Sequence, residues 1–383
     1  MISPLDGIIT NTETEEISYQ EISDPAVMAV QPLVSIHMLT YNHEPYITRA
    51  IEGVLMQETN FPIELIIGED CSTDRTREIV LNYQQKRPDI IRVVLWKKNT
   101  GGLLNFQVVN KLLRGKYVAF CEGDDYWIHP KKLQIQIEIM ESNPKIGLVY
   151  GDYYSYDTAT KNFIRWFPAK RQASEYKDLF TKLIVNEVKH PLTCTVCMRK
   201  DLYFSILNDN KRDFGMGFLS VDTQLWLEAS RLTEFKKINE PLAVHNILSE
   251  SKYNTKDIVR KIEFTKSGYE LFMHYVKKYH CPKSVERIVH KRHCTLLIEL
   301  AFRANDLALA EFCAQKLEAI GIKLSFKQRL ILLGLKRGKI KPIIAFLLRV
   351  EIRDIIKRIL LIIPWGLYQR LRKLYDLYCH SFI

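Results

Sequence analysis

Apolar residues along this chain follow two rhythms. Leu33–Leu39, Ile63–Ile67, Ile91–Trp96, Tyr117–Cys121 and Ile146–Tyr150 are short, nearly unbroken apolar runs. Continuous rather than alternating apolar character is what a strand buried on both faces requires. Between these runs, apolar residues recur at helical spacing: Ile47, Ala50, Ile51, Val54 and Leu55, then Ile79 and Val80, then a helix from Leu103 to Leu113, then one from Pro130 through Met140. Ser72 or Thr73 is expected to cap the second of these helices, Gly101-Gly102 to open the third, and Gly115 to close it. Strands alternating with helices predict an α/β fold with a mostly parallel sheet flanked by helices.

Beyond about Ser251 the strand rhythm stops. Residues 256–325 read as helices, and Thr295–Gly321 as a helical hairpin in which Ala301, Ala304, Ala310 and Ala314 allow close approach. The hairpin has a faint likeness to a tetratricopeptide unit, but one hairpin is not an array. Four segments are therefore expected: a polar arm over 1–30, an α/β domain over 31–250, a helical subdomain over 251–325 and a basic amphipathic helical segment over 326–383.

Composition adds a compartment and a charge gradient. The chain has 383 residues, 47% of them hydrophobic, ample for one large domain with additions or for two. The first thirty residues are acidic and polar, unlike a secretory leader, and no uncharged apolar window of about 18 residues is present. The expectation is a cytoplasmic protein with reduced thiols. Cysteines 71, 121, 194, 197, 281, 294, 313 and 379 fall mostly in apolar runs, so Cys194-x-x-Cys197 reads as structural, as do His290, His293 and Cys294 on one helix. Of the net charge of +11, residues 326–383 supply most, with thirteen Lys and Arg against Glu351, Asp354 and Asp376. There Arg349, Arg353, Lys357 and Arg358 interleave with Ile, Leu and Trp365, a pattern suited to the anionic inner face of a membrane. A helical subdomain or a dimer contact is the plainer reading. The apolar content far exceeds what a nucleic-acid-binding arm needs.

Chemistry gathers where strands should end. Thr40-Tyr41-Asn42, Glu69-Asp70 and Glu122-Gly123-Asp124-Asp125 each follow a predicted strand, and open α/β sheets bind ligands beyond the carboxyl ends of their strands. An isolated acidic pair would read as a solvated turn, but three polar clusters at one sheet edge make a site. Three carboxylates in four residues repel one another unless a hard cation such as Mg²⁺ or Mn²⁺ joins them. Neither GxxxxGK[ST] nor GxGxxG follows the first strand, which removes the P-loop and dinucleotide readings. A carboxylate-held metal suits a diphosphate, with Asp70 accepting from a base or ribose hydroxyl and Tyr41 facing the base.

These blocks, with Gly68-Glu69-Asp70-Cys71-Ser72-Thr73-Asp74 and Glu122-Gly123-Asp124-Asp125-Tyr126-Trp127 in order, resemble family-2 inverting glycosyltransferases of the GT-A (Rossmann-like) fold over roughly 32–250. The resemblance implies that Thr40, Tyr41, Asn42, Glu69 and Asp70 line a nucleotide pocket. It makes the third block the DxD motif, with Glu122 in place of the first aspartate. The metal ligand is then open between Asp124 and Asp125, with Asp125 favoured and Asp124 turned to the ribose or sugar. Val221-Asp222-Thr223-Gln224-Leu225-Trp226-Leu227 resembles the family's base-bearing helix start, which makes Asp222 the general base; taken alone, Asp222 is an ordinary helix cap. His245, within the closing segment Pro241–His245 with Ser249 and Ser251, falls near the diphosphate by the same resemblance, and taken alone is a satisfied strand histidine. The implied reaction moves a hexosyl group from a nucleotide-sugar, expected to be UDP-linked, to a glycan or polyprenol-linked acceptor in cell-surface polysaccharide synthesis. Donor, acceptor and linkage depend on loops 151–190 and 205–220, and the oligomeric state is left open. Two alternatives are weaker. A sugar-nucleotidyltransferase needs a Gly-rich basic loop where this chain has Thr40–Pro45, and a silent carbohydrate-binding scaffold needs no metal cluster paired with Asp222.

Overall fold

A computed structural model of the chain describes residues 18–164, 177–248 and 257–338. The chain divides into two compact units, one from Met1–Lys256 with Glu270–Val285 and one from Asp257–Tyr269 with Glu286–Ile383.

The first unit is built on a ten-stranded sheet. Its strands are β1 (Tyr19–Ile22), β2 (Val34–Thr40), β3 (Ile63–Glu69), β4 (Ile91–Trp96), β5 (Tyr117–Phe120), β6 (Tyr126–Trp127), β7 (Ile146–Asp157), β8 (Asn162–Ile164), β9 (Cys197–Arg199) and β10 (Glu234–Ile247). They run in the order β1-β4-β3-β2-β5-β9-β7-β10-β6, with β8 paired to β7. The stretch β4-β3-β2-β5 is parallel, as is β7 with β10, while β1, β6, β8 and β9 join antiparallel. The sheet is thus α/β and parallel at its centre.

The helices are α1 (Pro25–Ala29), α2 (Ile47–Leu55), α3 (Thr76–Lys86), α4 (Gly102–Lys111), α5 (Lys132–Ser142), α6 (Leu179–Ile184), α7 (Lys200–Asp209), α8 (Lys211–Phe214), α9 (Val221–Leu232), α10 (Ile258–Lys278), α11 (Lys283–Ala304), α12 (Leu307–Ala319) and α13 (Phe326–Lys336). Alternate strand residues feed two cores, because successive side chains of a strand face opposite ways. Ile36, Met38, Leu65 and Ile67 pack with residues of α2, α3 and α5 on one face. Ile66, Val94, Val118 and Phe120 pack with residues of α4, α7 and α9 on the other. Continuous apolar runs in β2 to β5 follow directly from this double coverage.

Several local expectations are corrected. Helix α3 is not capped by Ser72 or Thr73, which are engaged with Asn42; Asp74 Oδ1 instead accepts from the Thr76 amide at 3.0 Å. Gly115 does not close α4, which ends at Lys111. It lies so near β2 that a Cβ there would stand 2.5 Å from the Ser35 amide nitrogen. The arm expected over 1–30 is in its later part structured: Tyr19–Ile22 pairs with β4, and Asp24 caps α1. Residues 1–17, 165–176, Ser249, Ser251 and 339–383, with most of the basic segment, lie outside the described residues.

The second unit has its own core, formed by Leu297, Ile298, Ala301, Ala310, Cys313 and Ile331 from α11, α12 and α13. Asp306 caps α12, and Ser325 with Gln328 forms a capping box on α13.

Candidate active site

Parallel register brings the polar clusters to one edge. Thr40 pairs with Glu69 and His37 with Phe120, so the chain leaves β2, β3 and β5 on the same side of the sheet. The first two loops then lock together. Asn42, in the left-handed region at φ 55°, accepts from the Thr73 amide at 2.8 Å, and its own amide donates to Ser72 Oγ at 3.0 Å. The Glu44 amide donates to Asp74 Oδ2, and the Arg75 amide to Glu44. Tyr41 stays exposed on this frame.

The two acidic residues after β3 are already engaged. Glu69 accepts from the Ser72 amide at 2.7 Å and is ion-paired with Arg77. Asp70 accepts from the Thr100 amide and hydroxyl, both at 2.8 Å, from the Gly101 amide at 2.9 Å and from Asn99 Nδ2 at 3.1 Å. Its carboxylate therefore fixes the turn over residues 99–101, in which Gly101 has φ +81°.

The acidic turn after β5 is tightly built. A Cβ on Gly123 would stand 2.7 Å from Thr40 Oγ1 and 2.9 Å from His43 Nδ1, so only glycine fits. Asp125 is buried, with Oδ1 accepting from the Asn246 amide at 2.9 Å and 3.2 Å from His245 Nδ1. Asn246 Nδ2 donates in turn to the Asp124 carbonyl. Strand β10 is thereby clamped to the turn, and His245 is placed beside it. Burial alone would lower the His245 pKa; the Asp125 hydrogen bond and the charges of Asp125, Asp124 and Glu122 outweigh it and raise it.

Glu122 and Asp124 are the carboxylates with capacity to spare. Glu122 Oε2 is buried and has no partner. Burial, then the neighbouring Asp125 and Asp124, push Glu122 up to about 8; burial and Asp125 push Asp124 up to about 7. Carboxylates raised this far are ones the fold leaves uncompensated. Among the described residues no three His, Cys, Asp or Glu side chains are grouped to hold a metal by themselves. That arrangement still fits Mg²⁺ or Mn²⁺, which protein typically holds by one or two carboxylates with substrate phosphates and water completing the shell.

Asp222 lies in the first turn of α9, with Ser220 at the cap position. Its Oδ1 accepts from the Thr223 amide at 2.8 Å. The carboxyl faces a recess: it is reachable by solvent, yet the crowding of surrounding atoms raises its pKa. Glu122 and Asp222 line the same cavity, of about 630 Å³. His37 and Trp226 line it too, Trp226 from the same block as Asp222, while His43 stands beside Gly123; the two histidines carry no distinctive sequence signal. His43 follows the β2 cluster, and a motif search that stops at Asn42 passes over it.

Comparison with known proteins gives a consistent picture. Residues 35–203 match the model of "Glycosyl transferase family 2". An uncharacterized protein of Mycobacterium bovis is 42% identical over 117 residues, 30% of this chain and 34% of that protein, so the chain spans about a third of the length of such a curated relative. The Escherichia coli UDP-Glc:alpha-D-GlcNAc-diphosphoundecaprenol beta-1,3-glucosyltransferase WfgD is 29% identical over 216 residues, 54% of this chain and 82% of that one. The crystal structure of S. aureus TarS has a similar fold, with a TM-score of 0.51 at 18% identity, covering 80% of this chain and 53% of that one.

Proposed function

We propose that this chain, whose residues 35–203 belong to glycosyl transferase family 2, moves a sugar from a nucleoside-diphosphate donor to an acceptor hydroxyl in a single inverting displacement. One observation carries the reading: the unpartnered, uncompensated carboxylate of Glu122 and the carboxyl of Asp222 line one recess beyond the carboxyl ends of β2 and β5, and the raised carboxyl of Asp124 belongs to the same acidic turn as Glu122. A UDP donor and a glycan or lipid-linked acceptor are favoured by the likeness to WfgD, whose name specifies UDP-Glc and a diphosphoundecaprenol acceptor.

The chain's own groups divide the work. Asp222 takes the proton from the acceptor hydroxyl as that oxygen attacks the anomeric carbon. A general base of this kind typically contributes about 10²–10⁴-fold, and a raised pKa makes a carboxylate a better proton acceptor. The locked loops over 40–44 and 70–76 border the nucleotide, with Tyr41 exposed to stack on a base. Asp124 and Glu122 are the side chains that would hold Mg²⁺ or Mn²⁺, while Asp125 orients the turn through Asn246 and His245. A bound divalent cation would offset the negative charge gained by the departing diphosphate. His245, whose pKa the acidic turn raises, lies on the same side.

The test is UDP release from a panel of UDP-sugars with and without Mn²⁺. Metal-dependent release with at least one sugar is expected. Binding of UDP with no turnover on any donor and acceptor would favour a silent scaffold instead. Among the described residues no helix is long and apolar enough to cross a membrane. The basic, amphipathic sequence of residues 326–383 favours that segment as the contact with a lipid-linked acceptor.

A further inference from the structure

Strand β7 runs past its partner β9, which pairs only with Leu148 and Val149, and its far end carries aromatic side chains that belong to neither apolar core of this unit. Phe163 of β8 meets Tyr156 at 5.0 Å between ring centroids and Tyr154 at 6.2 Å, the first pair tilted and the second edge-on. Rings that meet this way keep surface open to solvent: Tyr154 is 40% exposed and Phe163 59%. Single exposed apolar residues need no explanation, but three clustered on one short hairpin do.

Register ties the cluster to the acidic turn. Tyr156 lies opposite Asn246, whose amide holds Asp125, and Tyr154 lies opposite Val244, which pairs in turn with Tyr126. The shifts in this register beyond Leu148 insert extra residues in β10, so alternation along β7 is unbroken from Leu148 onward. Tyr154 and Tyr156 therefore take the face on which Leu148 shares a core with Leu225 and Trp226 of α9, the helix that carries Asp222. The loops that border the nucleotide follow β2 and β3, on the other side of β5 in strand order.

These placements select the occupant. Residues 157–162, at the hairpin tip, hold one acid and one base among polar neighbours and offer an anionic membrane no net attraction. Strand β8 has three residues, a poor edge for pairing with a second copy. A pyranose ring fits: its axial C–H bonds make one face apolar and weakly positive, which suits the negative face of an aromatic ring, while its hydroxyls stay in water.

We infer that Tyr154, Tyr156 and Phe163 form an accessory stacking subsite for a sugar unit of the acceptor beyond the unit that is attacked, so that the acceptor is read over more than one sugar. The inference rests on the reading of the sheet edge as a glycosyl-transfer site.

Calorimetric titration of the full chain, with UDP and Mn²⁺ present, tests it. The probes are methyl glycosides of glucose, galactose, mannose and N-acetylglucosamine, with the matching di- and trisaccharides. In at least one series the trisaccharide is expected to bind at least about fivefold tighter than the monosaccharide. Phe163→Ala is expected to lower trisaccharide affinity about two- to tenfold, the worth of one aromatic contact, and to leave monosaccharide affinity as it was. Tyr154→Phe keeps the ring and is expected to keep most of the gain that Tyr154→Ala loses. A length gain that survives both alanine variants, or no gain in any series with UDP still bound, overturns the inference alone. So does a Phe163→Ala variant that changes self-association or vesicle sedimentation and not the length gain. Failure of the unmodified chain to bind UDP overturns the glycosyl-transfer reading beneath it.

Discussion

At the residue scale, the roles of the carboxylates follow from what their oxygens already touch. Asp125 is occupied by the Asn246 amide and His245, whereas Glu122 Oε2 is unpartnered and Asp124 is raised to about 7. Removing an outer partner of a metal ligand typically costs about 10–100-fold in affinity. Asp124→Ala is therefore expected to weaken Mn²⁺ binding beyond that range and Asp125→Ala to fall within it; a spectroscopic Mn²⁺ titration that ranks them the other way restores Asp125 as the main ligand. Asp222→Asn is expected to lower transfer about 10²–10⁴-fold with UDP and Mn²⁺ affinity unchanged. The pH profile carries a second check. Burial raises the Asp222 pKa, so the base is lost to protonation earlier as pH falls. The acidic limb of kcat/KM should lie above the ordinary Asp value of about 3.9; a limb at or below it contradicts the assignment.

At the element scale, position depends on how α9 and β10 are held. Lys278, near the end of α10, donates to Asn210 Oδ1 and Glu228 Oε1, both at 2.6 Å, and to Asp213, while Tyr279 donates to Glu228. Glu228 belongs to α9, the helix whose first turn carries Asp222. Lys278→Met removes the shared cation from two largely buried carboxylates, leaving Asp213 to His274 and Glu228 to the Tyr279 hydroxyl, and for a side chain still 26% exposed the expected loss is about 2–3 kcal/mol. Chemical denaturation measures it, and Glu228→Gln in the same background should recover part of the loss. The same elements show where sequence stops informing. Strands β2 to β5 were legible because both of their faces are covered, so burial writes itself as an apolar run. Strand β10 was not, because Glu234-Phe235-Lys236-Lys237 alternates and Pro241 falls at a register shift, leaving only Pro241–His245 as a signal. The engagement of Asp70 by the turn over 99–101 was invisible for another reason. A residue's sequence neighbours do not disclose that a loop thirty positions later will donate four hydrogen bonds to it.

At the scale of the whole molecule, two distributions set behaviour: buried histidines and basic charge. His37 in the first unit and His293 in the second are both buried, and burial lowers each to about 4. The unfolded chain, with histidines near 6.5, then takes up protons before the folded one. The stability stored in the neutral forms is intact above about pH 6.5 and is lost as pH falls toward 4, by roughly 3 kcal/mol for each fully buried site. Melting temperatures followed from pH 7 to 5 should decline, and less steeply in His293→Gln. The charge argument concerns residues 326–383, where thirteen basic side chains oppose three acidic ones. Each Lys or Arg near an anionic surface contributes about 1 kcal/mol, and interleaved Ile, Leu and Trp365 give such a segment something to insert. Deleting residues 339–383 keeps α13 and its capping box, so the remaining chain should still bind UDP. It should also stop sedimenting with vesicles rich in anionic lipid, while the full chain does so and is released as salt rises. Release by salt marks electrostatic attraction to the surface. Sedimentation indifferent to both salt and deletion would place the contact elsewhere on the protein and detach the basic segment from delivery of a lipid-linked acceptor.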